Sequence, residues 1–404
     1  MSKFNEFTRV TFIIYTIPIF PERERERERE MSGFVVFGVA VVAVAIRRFR
    51  SLNRRKLRVH VFPSTYRNDA ERREALRKRI EDSSVGVELS FGPDIVGDGV
   101  DVVVVKKTYE FCVDKIRKLS RVPRFAIVPY AGPPRTLLDK FSQLDNEIQV
   151  FNSNHNAPST AEMAIALLLS ASKNVIRGHQ ELSNSNWLGR GMYPKTKGEA
   201  LEKPIPQMYL NRKTAVVVGL GSVGRHVAKV LRCLGMRVIG TRRNAKIRDR
   251  DGFEIWTKSL VELFKHHKPK VIMLCVPGTP ETVNLIRSKE LNALPDDCVL
   301  VNMARGQVVN EKSIYEHLKS NPRFSYAADV WWCYPTVDDD PSHFAPCSYD
   351  FAKLKNTVVM SPHRGGGIGV DEIEDERFNK IADLLTRIGS GRVLPRCVNL
   401  KLGY

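Results

Sequence analysis

The sequence of 404 residues predicts an α/β protein with two doubly wound domains, each built on a parallel sheet. Short apolar runs typical of buried strands recur from residue 57 to residue 362, and segments with helical character separate them. Strands that alternate with helices pair in parallel, because each helix carries the chain back across the sheet. The chain is also long enough to bury two hydrophobic cores.

The first half of the folded region follows this alternation. Its predicted strands are apolar runs, at Leu57–Pro63, Val100–Val105, Phe125–Pro129 and Ile148–Asn152. Asn68–Glu81 is a charged amphipathic helix that follows the first strand. Pro158–Asn174 then reads as a long apolar helix, which we expect to be buried between domains or between subunits.

The segment Val216–Gly224, which reads VVVGLGSVG, joins an apolar strand to a helix through a glycine-rich turn. In such a turn the first glycine permits a tight reversal, the second lets the backbone approach a phosphate, and the third lets the helix pack close to the strand. These positions are Gly219, Gly221 and Gly224. The start of the helix offers unpaired N–H groups to an anion. Because another strand, Met236–Gly240, follows the helix, the segment predicts a dinucleotide-binding unit.

Further strands are predicted after this unit, at Lys270–Pro277, Val299–Val301, Phe324–Val330 and Thr357–Pro362. In parallel α/β sheets, ligands bind at the carboxyl ends of the strands, so the residues that follow each run are candidates for chemistry. The last stretch, Asp371–Tyr404, contains one more helix and an extended tail. Since it lies beyond the nucleotide unit, we expect it to return to the first domain.

Composition narrows the functional classes. The net charge is +19, but the basic residues form no long tract interleaved with aromatics, so we interpret them as a solvated surface and expect no nucleic-acid partner. The seven cysteines form no CxxC pair and no metal-ligand spacing with histidine, which predicts free thiols, a cytoplasmic location and no metal site. Cys275 and Cys298 flank apolar runs and are expected in the core, whereas the pair His266–His267 lies in a basic stretch and is expected at the surface.

The N-terminal extension, residues 1–56, is of a different character. Residues 21–30 read PERERERERE, a low-complexity segment that cannot build a core, and Met31 follows it directly. Met1 and Met31 both stay open as the natural start. Residues 33–46 are apolar, but only 16 uncharged residues separate Glu30 from Arg47, fewer than the ~20 that span a bilayer. Two interpretations remain: a short membrane anchor, or an extra buried segment.

Six motifs lie in the order found in one family. From about Leu57 to Leu400 the chain resembles the D-2-hydroxyacid dehydrogenases, which include hydroxypyruvate, glyoxylate, D-lactate, phosphoglycerate and formate dehydrogenases. One motif alone would be weak, whereas six in sequence are specific. The motifs are NAPSTAE from Asn156 to Glu162, Gly219–Gly224, VPGTPET from Val276 to Thr282, NMARG from Asn302 to Gly306, Asp329–Trp331 and Ser361–His363.

The resemblance implies a flavodoxin-like substrate domain of residues 57–155 and 368–404, and a Rossmann domain of residues 156–367 that binds NAD(P). By similarity, His363 is the acid/base, and Arg305 holds the substrate carboxylate and polarises the carbonyl. Tyr130, Ala131 and Gly132 fall where the family binds that carboxylate through backbone N–H groups. The implied cofactor contacts are Gly219, Gly221, Ser222, Val223, Gly224, Thr241, Arg242, Arg243, Val276, Pro277, Thr282, Met303, Ala304, Arg305, Asp329, His363 and Gly365.

Three residues in or next to these motifs admit two interpretations each: Asn156, Trp331 and Trp332. Asn156 either caps the following helix or binds substrate, as the matching asparagine of formate dehydrogenases contacts formate. For the paired tryptophans Trp331 and Trp332, we favour packing over a role in the substrate wall. Asp329 is expected on the nicotinamide side of the cofactor.

The chain departs from the family pattern at Tyr334. Most members have a glutamate there, paired with the catalytic histidine, and formate dehydrogenases have a glutamine. A tyrosine can hydrogen-bond an imidazole but carries no charge near neutral pH, so we expect carbonyl reduction to have a lower pH optimum than in glutamate-bearing members. Alternatively, one of the aspartates Asp338, Asp339 and Asp340 supplies the carboxylate.

A second departure concerns the cofactor. Members that prefer NAD have an aspartate where Arg242 falls, since a carboxylate accepts hydrogen bonds from the ribose hydroxyls. An arginine cannot accept them, but it can pair with a 2′-phosphate. We therefore expect NADP(H) to be preferred, with NAD(H) as the alternative. The sequence predicts a dimeric oxidoreductase for a small 2-hydroxy or 2-keto acid of the glyoxylate or hydroxypyruvate type. The alternatives are a non-catalytic cofactor-binding protein and a formate dehydrogenase.

Overall fold

The structure is a computed structural model. It describes residues 56–63, 69–83, 85–95, 97, 99–105, 109–144, 148–190, 205–243, 251–354 and 358–403. The predictions made for the N-terminal extension lie outside these ranges, including its start at Met1 or Met31 and the choice between a membrane anchor and a buried segment for residues 33–46. Inside them, none of the helices combines the length and the hydropathy that a bilayer crossing requires.

A five-stranded parallel sheet organises the first half of the chain, in the order β2-β1-β3-β4-β5. This is the flavodoxin-like order, with one strand placed outside the first. Valines fill β3, whose three residues are all at most 3% exposed, because a strand covered by helices on both faces must be apolar throughout. The strands are β1 (Leu57–Val61), β2 (Val87–Phe91), β3 (Val102–Val104), β4 (Phe125–Val128) and β5 (Gln149–Asn152). The helices are α1 (Asp69–Glu81), α2 (Tyr109–Arg117) and α3 (Arg135–Ser142).

A seven-stranded parallel sheet organises the rest, in the order β12-β11-β10-β9-β6-β7-β8. The order reverses at β6, so a crevice opens between the carboxyl ends of β6 and β9, where ligands bind in doubly wound folds. The strands are β6 (Thr214–Val218), β7 (Arg237–Thr241), β8 (Glu254–Trp256), β9 (Val271–Leu274), β10 (Val299–Asn302), β11 (Ser325–Ala328) and β12 (Val358–Met360). The helices are α4 (Ala157–Lys173), α5 (Val175–Ser183), α6 (Ser222–Cys233), α7 (Leu260–His267), α8 (Ser288–Leu291) and α9 (Glu311–Ser320). The predicted α/β class with two doubly wound sheets is confirmed.

The position expected for the long apolar helix, between domains or between subunits, stays a prediction. The buried side of α4 joins the core of the seven-stranded sheet, where Ala164 and Leu168 pack with Val217 and Val227. Its buried residues therefore belong to the helical layer that covers the seven-stranded sheet.

The last helix, α10 (Asp371–Ser390), packs on the five-stranded sheet. Its residues Phe378, Ile381 and Leu385 belong to the same buried cluster as Leu57 and Val59 of the first strand. The chain thus leaves the first sheet after β5, builds the second sheet, and comes back. The two segments that connect the sheets lie close together, because the Ser159 hydroxyl donates to the Gly365 carbonyl at 3.0 Å.

Candidate active site

The glycine-rich turn after β6 has the geometry that a phosphate site needs. Gly219 has φ +97°, and a Cβ there would lie 2.8 Å from the Cys275 carbonyl oxygen. A Cβ on Gly224 would collide with the Gly219 carbonyl oxygen, so this helix could not otherwise pack so close to the turn. A Cβ on Gly221 would point into open space, where a phosphate could approach the exposed start of α6. These residues fit the diphosphate of a dinucleotide.

A cavity of about 710 Å³ opens beside this turn, large enough for part of a dinucleotide. The structure brings eight predicted cofactor residues together along it: Gly219, Gly221, Thr241, Arg242, Arg243, Val276, Pro277 and Thr282. Lys258 adds a cation, and Glu281 supplies a carboxylate that pairs with Arg243. The cavity therefore has a basic wall at the end of β7. Glu281 would compete with a bound anion for Arg243.

Two threonines predicted as cofactor contacts have hydroxyls that are already engaged. Thr241 Oγ1 accepts from the Gly219 N–H at 3.1 Å, which fixes the turn to the end of β7. Thr282 Oγ1 donates to the Pro277 carbonyl at 2.7 Å and accepts from the Thr279 N–H at 2.8 Å. Both residues shape the loops that line the cavity.

The loop after β10 presents Arg305, and Asn302 holds that loop in place. Asn302 is fully buried, its Nδ2 donates to the Arg305 carbonyl at 3.0 Å, and its Oδ1 accepts from the Ala304 N–H at 3.0 Å. A Cβ on Gly306 would collide with the Trp331 carbonyl. The sequence interpretation gave Asn302 no role, although an asparagine that ends a buried strand is the signal that could have indicated one.

The Arg305 guanidinium extends from the loop after β10 of the seven-stranded sheet toward the loop after β4 of the five-stranded sheet. Its Nη1 donates to the Ala304 carbonyl at 2.7 Å, and its Nη2 lies 2.5 Å from the place a Cβ on Gly132 would occupy. Burial lowers the pKa of Arg305, and nearby Tyr334 acts in the opposite direction. No carboxylate of the described residues forms an ion pair with Arg305, so its charge faces the space beside Gly132.

Tyr334 lies close to His363 and interacts electrostatically with the Arg305 guanidinium. Its ring centroid is 5.4 Å from that of His363, and its hydroxyl accepts from the Trp331 N–H at 3.0 Å. Partial burial raises the pKa of Tyr334, whereas the Trp331 N–H and Arg305 act against that shift. A tyrosine pKa raised from its usual 10.0 leaves the phenol neutral at physiological pH, so Tyr334 gives His363 no negative charge.

His363 itself has φ +58°, a left-handed conformation that is uncommon outside glycine. Asp329, which is 2% exposed, holds the surrounding loop in that shape. One of its carboxylate oxygens accepts from the Ser361 hydroxyl and from the Arg364 N–H, and the other accepts from the Gly365 N–H at 2.7 Å. The expected contact of Asp329 with the nicotinamide side stays a prediction.

The remaining predicted substrate residues lie around the same place. Gly132 has φ +64° and faces Arg305 as described above, and Tyr130 and Ala131 precede it in the same loop at intermediate exposure. Asn156 makes no capping hydrogen bond with its side chain, so the interpretation of that side chain as a helix cap was wrong. Its Nδ2 instead lies 3.0 Å from the place a Cβ on Gly366 would occupy.

Some other expectations need correction. Asp339 and Asp340 use their carboxylates locally, on Thr336 and on Ser342 with His343, and so supply none to His363. His267 is not a surface residue, because its side chain is 7% exposed beside Trp256.

The packing roles expected for the tryptophans and for the cysteines agree with the structure. Trp331 donates to the Ser361 carbonyl at 2.8 Å, and Trp332 donates to the Val309 carbonyl at the same distance. Burial raises the pKa of Cys275 to about 12 and also raises the pKa of Cys298. These two thiols therefore stay protonated at physiological pH.

Comparison with known proteins identifies the family. The family model described as D-isomer specific 2-hydroxyacid dehydrogenase, NAD binding domain, matches residues 165–365, about half of the chain. That range contains the glycine-rich turn, Arg305, Tyr334 and His363. The chain belongs to the D-isomer specific 2-hydroxyacid dehydrogenase family.

The relatives of this chain are distant. The chain is 25% identical over 303 residues to a D-3-phosphoglycerate dehydrogenase from Methanocaldococcus jannaschii, which covers 74% of this chain and 52% of the relative. It is 26% identical over 283 residues to a hydroxypyruvate reductase from Thermotoga maritima, covering 68% of this chain and 83% of the relative. The chain thus spans about half of the first relative's length and most of the second's.

A solved structure shares the fold of this chain. The NADPH-dependent glyoxylate/hydroxypyruvate reductase from Sinorhizobium meliloti, solved with NADP and malonate, matches with a TM-score of 0.57 at 20% identity. The match covers 86% of this chain and 98% of that chain.

Proposed function

We propose that this protein transfers a hydride between NADP(H) and a small 2-keto or 2-hydroxy acid of the glyoxylate or hydroxypyruvate type. The observation that carries the proposal is the position of Arg305. Its partly buried guanidinium has no acid partner among the described residues and lies against Gly132, beside Tyr334, whose ring is near that of His363. Such a group favours an anionic ligand, and a keto acid supplies the carboxylate.

The residues divide the work between binding and proton transfer. The Arg305 fork pairs with the substrate carboxylate and draws electron density toward the carbonyl oxygen. When bound, the nicotinamide supplies or accepts the hydride at C2 of the substrate. In reduction, the His363 imidazolium donates a proton to the carbonyl oxygen; in oxidation, the neutral imidazole accepts the hydroxyl proton. Asp329 and Asn302 position the loops that carry His363 and Arg305.

The preference for NADP(H) is supported by the basic wall at the end of β7. Arg242, Arg243 and Lys258 line the cavity there, and a 2′-phosphate can pair with such cations. We expect Arg242 to select the phosphate, because it stands where members that prefer NAD have an aspartate. The fold relative from Sinorhizobium meliloti is described as NADPH-dependent, which agrees with this choice.

Turnover with a panel of 2-keto acids tests this proposal directly. We expect glyoxylate or hydroxypyruvate to be reduced with a kcat/KM at least ~10 times higher for NADPH than for NADH, since one phosphate–arginine pair is worth about a factor of ten. The variant Arg242→Asp should lower that ratio about a hundredfold. Arg323→Asp changes the charge equally at an exposed arginine outside the cavity and should leave it unchanged.

The alternatives give different results in the same assay. Equal or better efficiency with NADH would refute the preference for NADP(H). Tight NADPH binding without turnover of any acid would indicate the non-catalytic binding protein, and oxidation of formate would indicate the formate dehydrogenase.

Tyr334 is expected to set the pH dependence of reduction. Tyr334→Glu places a carboxylate beside His363 and should move the pH profile of kcat/KM for reduction upward by about one unit, because a negative neighbour stabilises the imidazolium. Tyr334→Phe removes only a neutral hydroxyl and should leave the profile in place. If the glutamate variant shows the wild-type profile, Tyr334 does not act on His363.

We also propose the subunit arrangement, the compartment and the domain boundaries. Several apolar side chains of residues 175–187 are exposed, with Val175 at 55%, Leu182 at 49% and Trp187 at 57%, and such a patch favours a second copy of the chain. Light scattering should give twice the mass of 45.8 kDa for the expected homodimer, and a monomer would refute it.

The free thiols support the cytoplasm as its compartment. The proposed substrate domain comprises residues 57–155 and 368–404, and the cofactor domain comprises residues 156–367.

A further inference from the structure

The C-terminal tail, which we define as residues 392–403, is anchored to the five-stranded sheet. After α10 the chain turns at Gly391, with φ +64°, and continues without regular structure. The Val398 N–H donates to the Val150 carbonyl at 2.7 Å, and the Val398 side chain is 5% exposed in the core. Arg135 donates to the carbonyls of residues 400 and 401, at 3.2 and 2.7 Å. These contacts hold the tail in one path.

The end of the tail then reaches the other sheet's loops. A turn closes over residues 399–403, in which the Gly403 N–H donates to the Asn399 carbonyl at 2.8 Å. A Cβ on Gly403 would lie 3.6 Å from Thr279 Cγ2 and 3.9 Å from Leu138 Cδ1. Thr279 belongs to the loop after β9, and Leu138 to helix α3. The tail therefore contacts elements of both sheets, next to the cavity beside the glycine-rich turn.

The tail residues Arg396 and Leu402 line that cavity. The end of β7 and the loop after β9 form other parts of its wall. Arg396 forms no hydrogen bond or ion pair with any residue in the described ranges. The cavity wall contains four cations, Arg396 included, against the single carboxylate of Glu281, which Arg243 already engages. An arginine placed there without an acid partner suits a phosphorylated ligand.

We propose that the tail forms a wall of the dinucleotide pocket, in which Arg396 binds a phosphate of the cofactor and Leu402 covers part of its apolar surface. The inference rests on the proposed function, since it requires a dinucleotide in this cavity. It adds the Arg396 guanidinium as a binding group. This group comes from the tail on the five-stranded sheet, whereas the glycine-rich turn belongs to the seven-stranded sheet. Because the tail contacts both halves, cofactor and tail stabilise each other's position.

The test measures cofactor binding and does not depend on turnover. We expect Arg396→Ala to raise the Kd of NADPH about tenfold, measured from nicotinamide fluorescence, and to reduce the salt dependence of that Kd. Leu402→Ala should raise it about threefold. The matched control is Arg392→Ala, on the same tail but outside the cavity, which should change the Kd less than twofold. The melting temperature checks that each variant folds.

Parallel titration with NADH distinguishes the phosphates. An equal loss for NADPH and NADH indicates the diphosphate, and a loss confined to NADPH indicates the 2′-phosphate; both results support the inference. If wild type binds NADPH and Arg396→Ala binds both dinucleotides as tightly, the inference is overturned while the proposed function stands. If wild type binds neither dinucleotide, the proposed function fails and the inference fails with it.

Discussion

Replacing His363 with glutamine is expected to lower kcat for keto-acid reduction about a thousandfold, while the Kd of NADPH changes far less, because His363 is one of many implied cofactor contacts. Glutamine keeps a hydrogen-bond donor at the position but cannot release a proton to the developing alkoxide, and general acid catalysis contributes about 10²–10⁴ in rate. Stopped-flow measurement of NADPH oxidation, with the Kd measured separately, separates the two effects.

The control for this change is His343→Gln. His343 is exposed and pairs with Asp340, so its loss should leave kcat unaltered. A His363→Gln enzyme with more than a tenth of wild-type kcat would contradict the assignment of His363 as the proton donor.

Arg305→Lys is the second change with a large expected effect, a loss of about a hundredfold in kcat/KM for the keto acid. Lysine keeps the charge but presents one ammonium, which cannot form the paired hydrogen bonds of a guanidinium fork to a carboxylate. Because the substrate carboxylate is bound before and during hydride transfer, KM should rise and kcat should fall together.

Arg323→Lys provides the matching substitution at an exposed arginine, and steady-state kinetics should show no change there. If Arg305→Lys left both KM and kcat unchanged, the substrate carboxylate would have to bind elsewhere. The interpretation of the loop after β10 would then be wrong.

The fold could be predicted from the sequence because its signals are local. The order of strand, glycine turn and helix at Val216–Gly224 is contiguous, and the apolar runs mark most strands within a few residues. Two strands were missed, β2 (Val87–Phe91) and β8 (Glu254–Trp256). Both lie at the edge of a sheet, where one side is less covered, so their polar residues hide the apolar pattern.

Contacts between distant residues could not be predicted in the same way. The motifs indicated Arg305 and His363, but nothing local indicates that Gly132 packs against the Arg305 guanidinium or that Asp329 fixes the loop of His363. The tail position of Arg396 follows from the return of α10 to the first sheet, which places the end of the chain beside a cavity built by the other sheet. Such positions depend on the topology of the whole chain.

A crystal structure with NADP⁺ and oxamate, an unreactive analogue of a keto acid, tests the central claim most directly. The account predicts one oxamate with its carboxylate on the Arg305 guanidinium and the backbone near Gly132, and with its carbonyl oxygen within hydrogen-bonding distance of the His363 ring. Oxamate bound away from Arg305, or Arg305 and His363 facing separate spaces, would contradict it.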